Sequence, residues 1–205
     1  TADNTVYATK GCVTYNNTGD ASEKEHGVDE NGRCSGCGMR FISTKEQLFS
    51  FAQAVENGEL HINAVLTEDI TVNETVLDAE GNLVLDTASA TVWTPIGREH
   101  LYTGAFDGNG HTISGLYFSD ENVDAVGLFA HVGEEGSVSN VAILDSYFYG
   151  HVQIGGVSGY NKGTIRNCYY IGVVGRSSSR CGSICGLNYG TVENCYYNKT
   201  MNPNW

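Results

Sequence analysis

The residues best suited to chemistry lie near the start of this 205-residue chain: Cys34-Ser-Gly-Cys37, with Cys12 and His26 upstream. Two thiols separated by two residues can grip one metal ion from a tight turn, and Gly36 and Gly38 let backbone amides point at the thiolates. Three sulfurs and one imidazole from Cys12, His26, Cys34 and Cys37 would complete a tetrahedral structural zinc site. Such a site is closed, with no open position for a catalytic water. The competing reading is oxidation, since a CxxC outside the cell can form a disulfide or redox pair and the 13-residue gap between Cys12 and His26 is irregular. Reduced thiols without metal are the third.

Elsewhere the charged groups do not form a pattern. Asp107, Asp124, Arg98, His100 and His111 fall in the middle of the chain, where a polysaccharide-cutting enzyme would need converging carboxylates and a base. Asp107 lies in Phe-Asp-Gly-Asn-Gly-His, where Asp and Asn favour a tight corner by bonding their own backbone. Arg98 to His100 and the Glu134-Glu135 pair read as solvated loops. His131 and His151 read as structural. No HExxH occurs and no Ser, His and Asp arrangement stands out, so no catalytic or cofactor-binding residue is assigned.

The elements that would position these groups are declared by an internal repeat. Gly155 to Tyr170, GGVSGYNKGTIRNCYY, returns 27 residues later as GSICGLNYGTVENCYY, with nine of sixteen positions identical. The glycines at 110, 136, 163 and 190 extend the register in steps of 26, 27 and 27. A period of that length, rich in glycine, asparagine and β-branched residues, points to a parallel β-solenoid. Equivalent residues should then stack in columns. Ile113, Val138, Ile165 and Val192 are expected as an inward apolar column. Asn140, Asn167 and Asn194 are expected as an amide ladder in a buried corner, ended by Ser114. Cys168 and Cys195 should stack as small core thiols, continued by Val141 and Gly115, with a disulfide between them as the alternative. Cys181 falls opposite Ile154 and Cys185 opposite Ser158. Tyr169-Tyr170 should stack on Tyr196-Tyr197, one ring of each pair inward or along the wall and the other outward.

Ser43 and Glu46 read as a capping box, and Leu48, Phe51, Ala52 and Val55 recur at helical spacing, predicting an amphipathic helix over 44–57 ended by Gly58. Laid over the open solenoid end, it would act as the N-terminal cap. His61 to Val72 should supply the first strands, with Leu66 and Ile70 in the core, and Asn82 to Trp93 the next coil.

The phrases WTPIG (93–97), FDGNGHTISGLYF (106–118) and VGLFAHV (126–132), together with the repeat, resemble the GLUG-motif repeats of bacterial secreted and surface proteins. The resemblance spans roughly residues 90 to 198 and implies a right-handed parallel β-helix of the pectin-lyase-like kind. It supplies no agreed activity, because such repeats occur in adhesin-like proteins and beside the catalytic part of some surface metalloproteases. HGVDENGRCSGCG (26–38) also resembles zinc-ribbon-like inserts of bacterial surface proteins.

The expected organisation is therefore all-β. A Cys/His knuckle occupies 1–40, a helix-capped β-helix of about five coils 41–198, and a tail 199–205. A formal charge of −13 with no basic cluster disfavours nucleic acid and anionic lipid. No apolar run approaches membrane-spanning length, and the chain reads as a mature or excised segment, monomeric, secreted or displayed on a bacterial surface. Its expected role is a non-catalytic adhesin-like or spacer module binding glycan or host protein through its wall. A polysaccharide lyase or hydrolase, its binding domain, or a non-catalytic region of a larger metalloprotease are the alternatives.

Overall fold

The computed structural model describes the backbone of 12–15 and 21–24 and the whole of 27–201. It is a parallel β-solenoid of about six turns, judged by its longest sheet. That sheet stacks six strands in order: Arg40–Ile42, Ala64–Leu66, Ala105–Asp107, Ser137–Ser139, Thr164–Arg166 and Thr191–Glu193. A second sheet runs through Ile70–Thr71, Thr112–Ser114, Ala142–Gly150, Tyr169–Arg176 and Tyr196–Tyr197, with Tyr117–Ser119 also on Ala142–Gly150. A third contains Phe129–Val132, Ser158–Asn161 and Cys185–Asn188. Every pairing between these strands is parallel, and the register holds from turn to turn except for a bulge between Leu144 and Ser146. Cys12–Tyr15 and Ala21–Lys24 form a separate antiparallel pair.

One turn exceeds the expected five because Arg40–Ile42 joins the first sheet before the helix begins. Three residues are too few to show a period, and the helix then interrupts the coil, so this strand has no signature in the sequence.

Columns of inward side chains fill the solenoid. Phe106, Val138 and Ile165 stack in the first sheet and Ile113, Ile143 and Tyr170 in the second, all fully buried. The expected column of Ile113, Val138, Ile165 and Val192 is thus corrected at its first member: Phe106 underlies Val138, while Ile113 belongs to the neighbouring sheet. The glycine register shifts with it. The Ser137 and Thr164 amides bond the carbonyls of Gly104 and Gly136, so Gly104 and not Gly110 is the counterpart of Gly136. The constant 27-residue step holds only over the last turns, and earlier turns are longer. Leu116 bonds Ser146 across 30 residues, and Ala105 bonds Asn63 across 42. The repeat keeps glycine at 163 because a Cβ there would sit 2.1 Å from the Gly136 carbonyl oxygen.

The long turn carries an excursion. Asn82 to Trp93, expected as a coil, lies mostly outside the solenoid. Leu83, Val84 and Val92 are exposed, and only Trp93 enters the core. Alternation alone does not make a solenoid strand, which needs a paired neighbour above or below. Asn73 closes the excursion by bonding the Thr91 backbone in both directions, and the Asp145 carboxylate accepts from the Val76 and Leu77 amides at 2.9 and 2.7 Å.

The helix spans Lys45–Glu56. Its N-cap is Thr44, one residue later than expected. Thr44 Oγ1 accepts from the Gln47 amide, while Gln47 Oε1 accepts from the amide and hydroxyl of Ser43. The partner is therefore Gln47 rather than Glu46, a shift allowed because either residue can close such a box. Gly58, at φ 98°, follows the C-cap Asn57. Leu48, Phe51, Ala52 and Val55 are buried in the same core as the strands. Phe51 meets Tyr102 and Phe106, each at 5.8 Å between ring centres, so the helix closes the N-terminal end over the first aromatic layer. Glu56 fixes its far end by accepting from the Arg98 and Glu99 amides.

Candidate functional site

Cys34 and Cys37 share one tight turn, closed by the Gly38 amide donating to the Cys34 carbonyl and the Cys34 amide to the Met39 carbonyl. Cys34 is buried and Cys37 exposed. Cys12 lies on the first antiparallel strand, its side chain outside the described residues, and His26 is likewise outside them. Among the described residues no three His, Cys, Asp or Glu side chains converge on one point. The turn packs against the cap. Gln47 donates to the Glu30 carbonyl, Ser50 to Asn31 Oδ1, and Arg40, itself buried, reaches the Asn31 carbonyl and Glu59.

The structure brings Asn140, Asn167 and Asn194 into one column. Asn194 donates to Asn167 at 3.4 Å, Asn167 to Asn140 at 3.0 Å, and Asn140 to Asp107 Oδ1 at 2.9 Å. The ladder ends on that carboxylate and not at Ser114, which bonds Thr71 in the neighbouring sheet. Nor is the corner buried: Asn167 and Asn194 are exposed and Asn140 half-buried. What selects asparagine is backbone conformation. Asn109, Asn140, Asn167 and Asn194 have φ of 52°, 55°, 54° and 51°, the left-handed region that asparagine tolerates better than most side chains.

A second amide pair, Asn161 and Asn188, has one buried member, Asn161, and an exposed one, Asn188. Asn161 is fully buried and donates to Asn188 Oδ1 at 2.7 Å, while its own Oδ1 accepts from the Gly163 amide. Both residues stand at one repeat position, two before Gly163 and Gly190, which was the available signal. In the turn before, Val132 takes that place.

The acid–base candidates are dispersed. Asp107 accepts from the Asn109 amide and Asn140, Asp124 pairs with His151 at 2.9 Å, and His111 lies 3.3 Å from Asp69. The Thr112 amide holds the Asp69 carboxyl below its usual range. His131 Nδ1 lies 2.8 Å from the Gly97 carbonyl oxygen.

The outer surface of the third sheet is different. His131, Tyr160 and Tyr189 run along the solenoid axis with ring centres 5.8 Å apart at each step. His131 and Tyr160 are paired residues of adjacent strands, and Tyr189 follows the next strand in the turn after it. Tyr189 is 70% exposed, and beside it Tyr160, Lys162 and Glu134 line a shallow groove of about 450 Å³. Lys162 and Glu134 lie 3.9 Å apart. This row was not legible as a column because Tyr160 pairs with Leu187 while Tyr189 stands two residues further on. Tyr169 and Tyr196, the outward members of the tyrosine pairs, form a second exposed row. Tyr170 points inward and is fully buried, whereas Tyr197, at the same position in the last turn, is 37% exposed.

No helix among the described residues is long and apolar enough to cross a membrane. No family model matches the chain, and no solved structure does. Two curated proteins are similar over part of it. Halomucin of Haloquadratum walsbyi is 36% identical over 110 residues, 53% of this chain and 1% of that protein. A putative Gly-rich membrane protein of Evansella cellulosilytica is 32% identical over 79 residues, 37% of this chain and 9% of that one. The chain thus covers only a small fraction of the curated relatives it matches.

Proposed function

We propose that this chain is a binding module of a secreted or surface-displayed protein and that it holds neutral glycans along the His131–Tyr160–Tyr189 row. The observation that carries the reading is three aromatic rings at equal 5.8 Å spacing on the outer wall, ending in a tyrosine 70% exposed. Aromatic faces take up the apolar faces of sugar rings while their polar edges stay wet. Lys162 and Glu134 flank the row and can hydrogen-bond hydroxyls. The charge of −13 selects against polyanionic glycans. The surface location is supported by the names of the two relatives, halomucin and a putative Gly-rich membrane protein, both far longer than this chain. The resemblance of the repeat phrases to GLUG-motif repeats supports the same placement.

Binding to a panel of neutral cello-, chito- and manno-oligosaccharides, read by heat or by tyrosine fluorescence, tests this function. Saturable binding to at least one, weakened about tenfold or more by Tyr160→Ala and by Tyr189→Ala, is expected. Absence of binding across the panel, or binding indifferent to both substitutions, would remove the wall from the account.

A further inference from the structure

Four thiols, Cys168, Cys181, Cys185 and Cys195, crowd the last two turns, and the aromatic row uses none of them. Cys168 and Cys195 are distinct among the four because they occupy the same corner of consecutive turns. The Tyr196 amide donates to the Cys168 carbonyl at 3.0 Å, so the two backbones lie one strand spacing apart, about 4.8 Å. That falls within the window of Cα separations, about 4.4 to 6.8 Å, that a disulfide spans. Their sulfurs also make matching bonds. Cys168 Sγ donates to the Arg166 carbonyl at 3.2 Å and Cys195 Sγ to the Glu193 carbonyl at 3.2 Å, and each sulfur lies 3.8 Å from a carbonyl oxygen of the turn below, that of Val138 and that of Ile165.

Their exposures differ. Cys168 is 1% exposed, and Cys195 is partly open to solvent in the last described turn. The adjacent Cys195 thiol, together with burial, pushes the Cys168 thiol far up, while the adjacent Cys168 thiol lowers that of Cys195. Burial pushes Cys181 up to about 11 and Cys185 up to about 12. The accessible Cys195 is therefore the attacking thiol and the buried Cys168 stands behind it. The terminal turn can also shift slightly to bring the sulfurs into bonding geometry, since among the described residues no strand pairs with the far side of Thr191–Glu193.

We propose that Cys195 and Cys168 form a redox-modification site that takes up oxidising equivalents from small organic disulfides, closing a covalent bond between the last two turns. The Cys195 thiolate attacks one sulfur of the disulfide, forming a mixed disulfide and expelling one small thiolate. Cys168 loses its proton to that thiolate and attacks the Cys195 sulfur, forming the Cys168–Cys195 bond and expelling the second small thiolate, which takes a proton from water. Two protein thiols are oxidised and one small disulfide is reduced to two thiols.

The native chain is incubated with oxidised glutathione near neutral pH, then alkylated in denaturant and mapped by peptide mass. The expected map has Cys168 and Cys195 joined and Cys181 and Cys185 alkylated. Cys168→Ser should arrest as a glutathione adduct on Cys195. Cys195→Ser should react about tenfold more slowly or less, because the remaining solenoid thiols stay protonated. In the joined form, exchange of the Tyr196 amide should slow by about tenfold or more. A map with both cysteines alkylated, a lasting adduct on Cys195 in the unmodified chain, or joining through Cys181 or Cys185 would overturn the proposal.

Discussion

At the scale of single residues, two asparagine columns do different work. Asn161 satisfies the buried Gly163 amide and Asn188, so Asn161→Leu should cost about 1 to 3 kcal/mol in chemical denaturation. Asn167 is exposed and is chosen for its left-handed backbone, so Asn167→Gly should be near neutral while Asn167→Val costs about 1 to 2 kcal/mol. Equal effects of the two Asn167 substitutions would show that the amide bonds, not the backbone, select asparagine. The column at 140, 167 and 194 was legible because the last turns repeat in step. Its environment was not, since a periodic string carries no information about which corner faces water. At Cys12, His26, Cys34 and Cys37 we propose one structural zinc per chain, resting on the tight Cys34–Cys37 turn. Elemental analysis of protein purified without chelator should find close to one equivalent, lost when Cys34 and Cys37 become serine. Metal-free protein with the cysteines oxidised would establish the disulfide instead.

At the scale of elements, the helix Lys45–Glu56 is the part whose loss should matter most. Phe51 joins it to Tyr102 and Phe106, so Phe51→Ala should cost about 3 to 5 kcal/mol. Deleting 1–58 would also remove the strand Arg40–Ile42 and bare the edge of Ala64–Leu66, and the expected outcome is association through that edge. A truncated chain that stays monomeric and melts cooperatively would show the cap to be dispensable. The helix was legible from Leu48, Phe51, Ala52 and Val55 because helical spacing is local. Asn82 to Trp93 reads as a coil because Leu83, Val84 and Leu85 alternate as a strand would, yet most of it lies outside the solenoid. Its exclusion is decided by Asp145 holding Val76 and Leu77, a contact nearly 70 residues distant in sequence.

At the scale of the whole molecule, a solenoid converts a short repeat into long parallel rows, and one such row is the surface proposed to bind. The fold follows from the repeat of the last turns, which sets the strand stacking for the rest. The candidate site does not, because His131, Tyr160 and Tyr189 come from turns of unequal length and meet only after stacking. The central claim is that this row binds sugar, and the most direct measurement is side-chain proton NMR of the tyrosines during titration with a neutral oligosaccharide that binds. The account predicts that the Tyr160 and Tyr189 ring resonances shift together along one saturation curve while those of buried Tyr102 and Tyr170 stay fixed. Shifts confined to Tyr169 and Tyr196, with Tyr160 and Tyr189 unmoved, would contradict it.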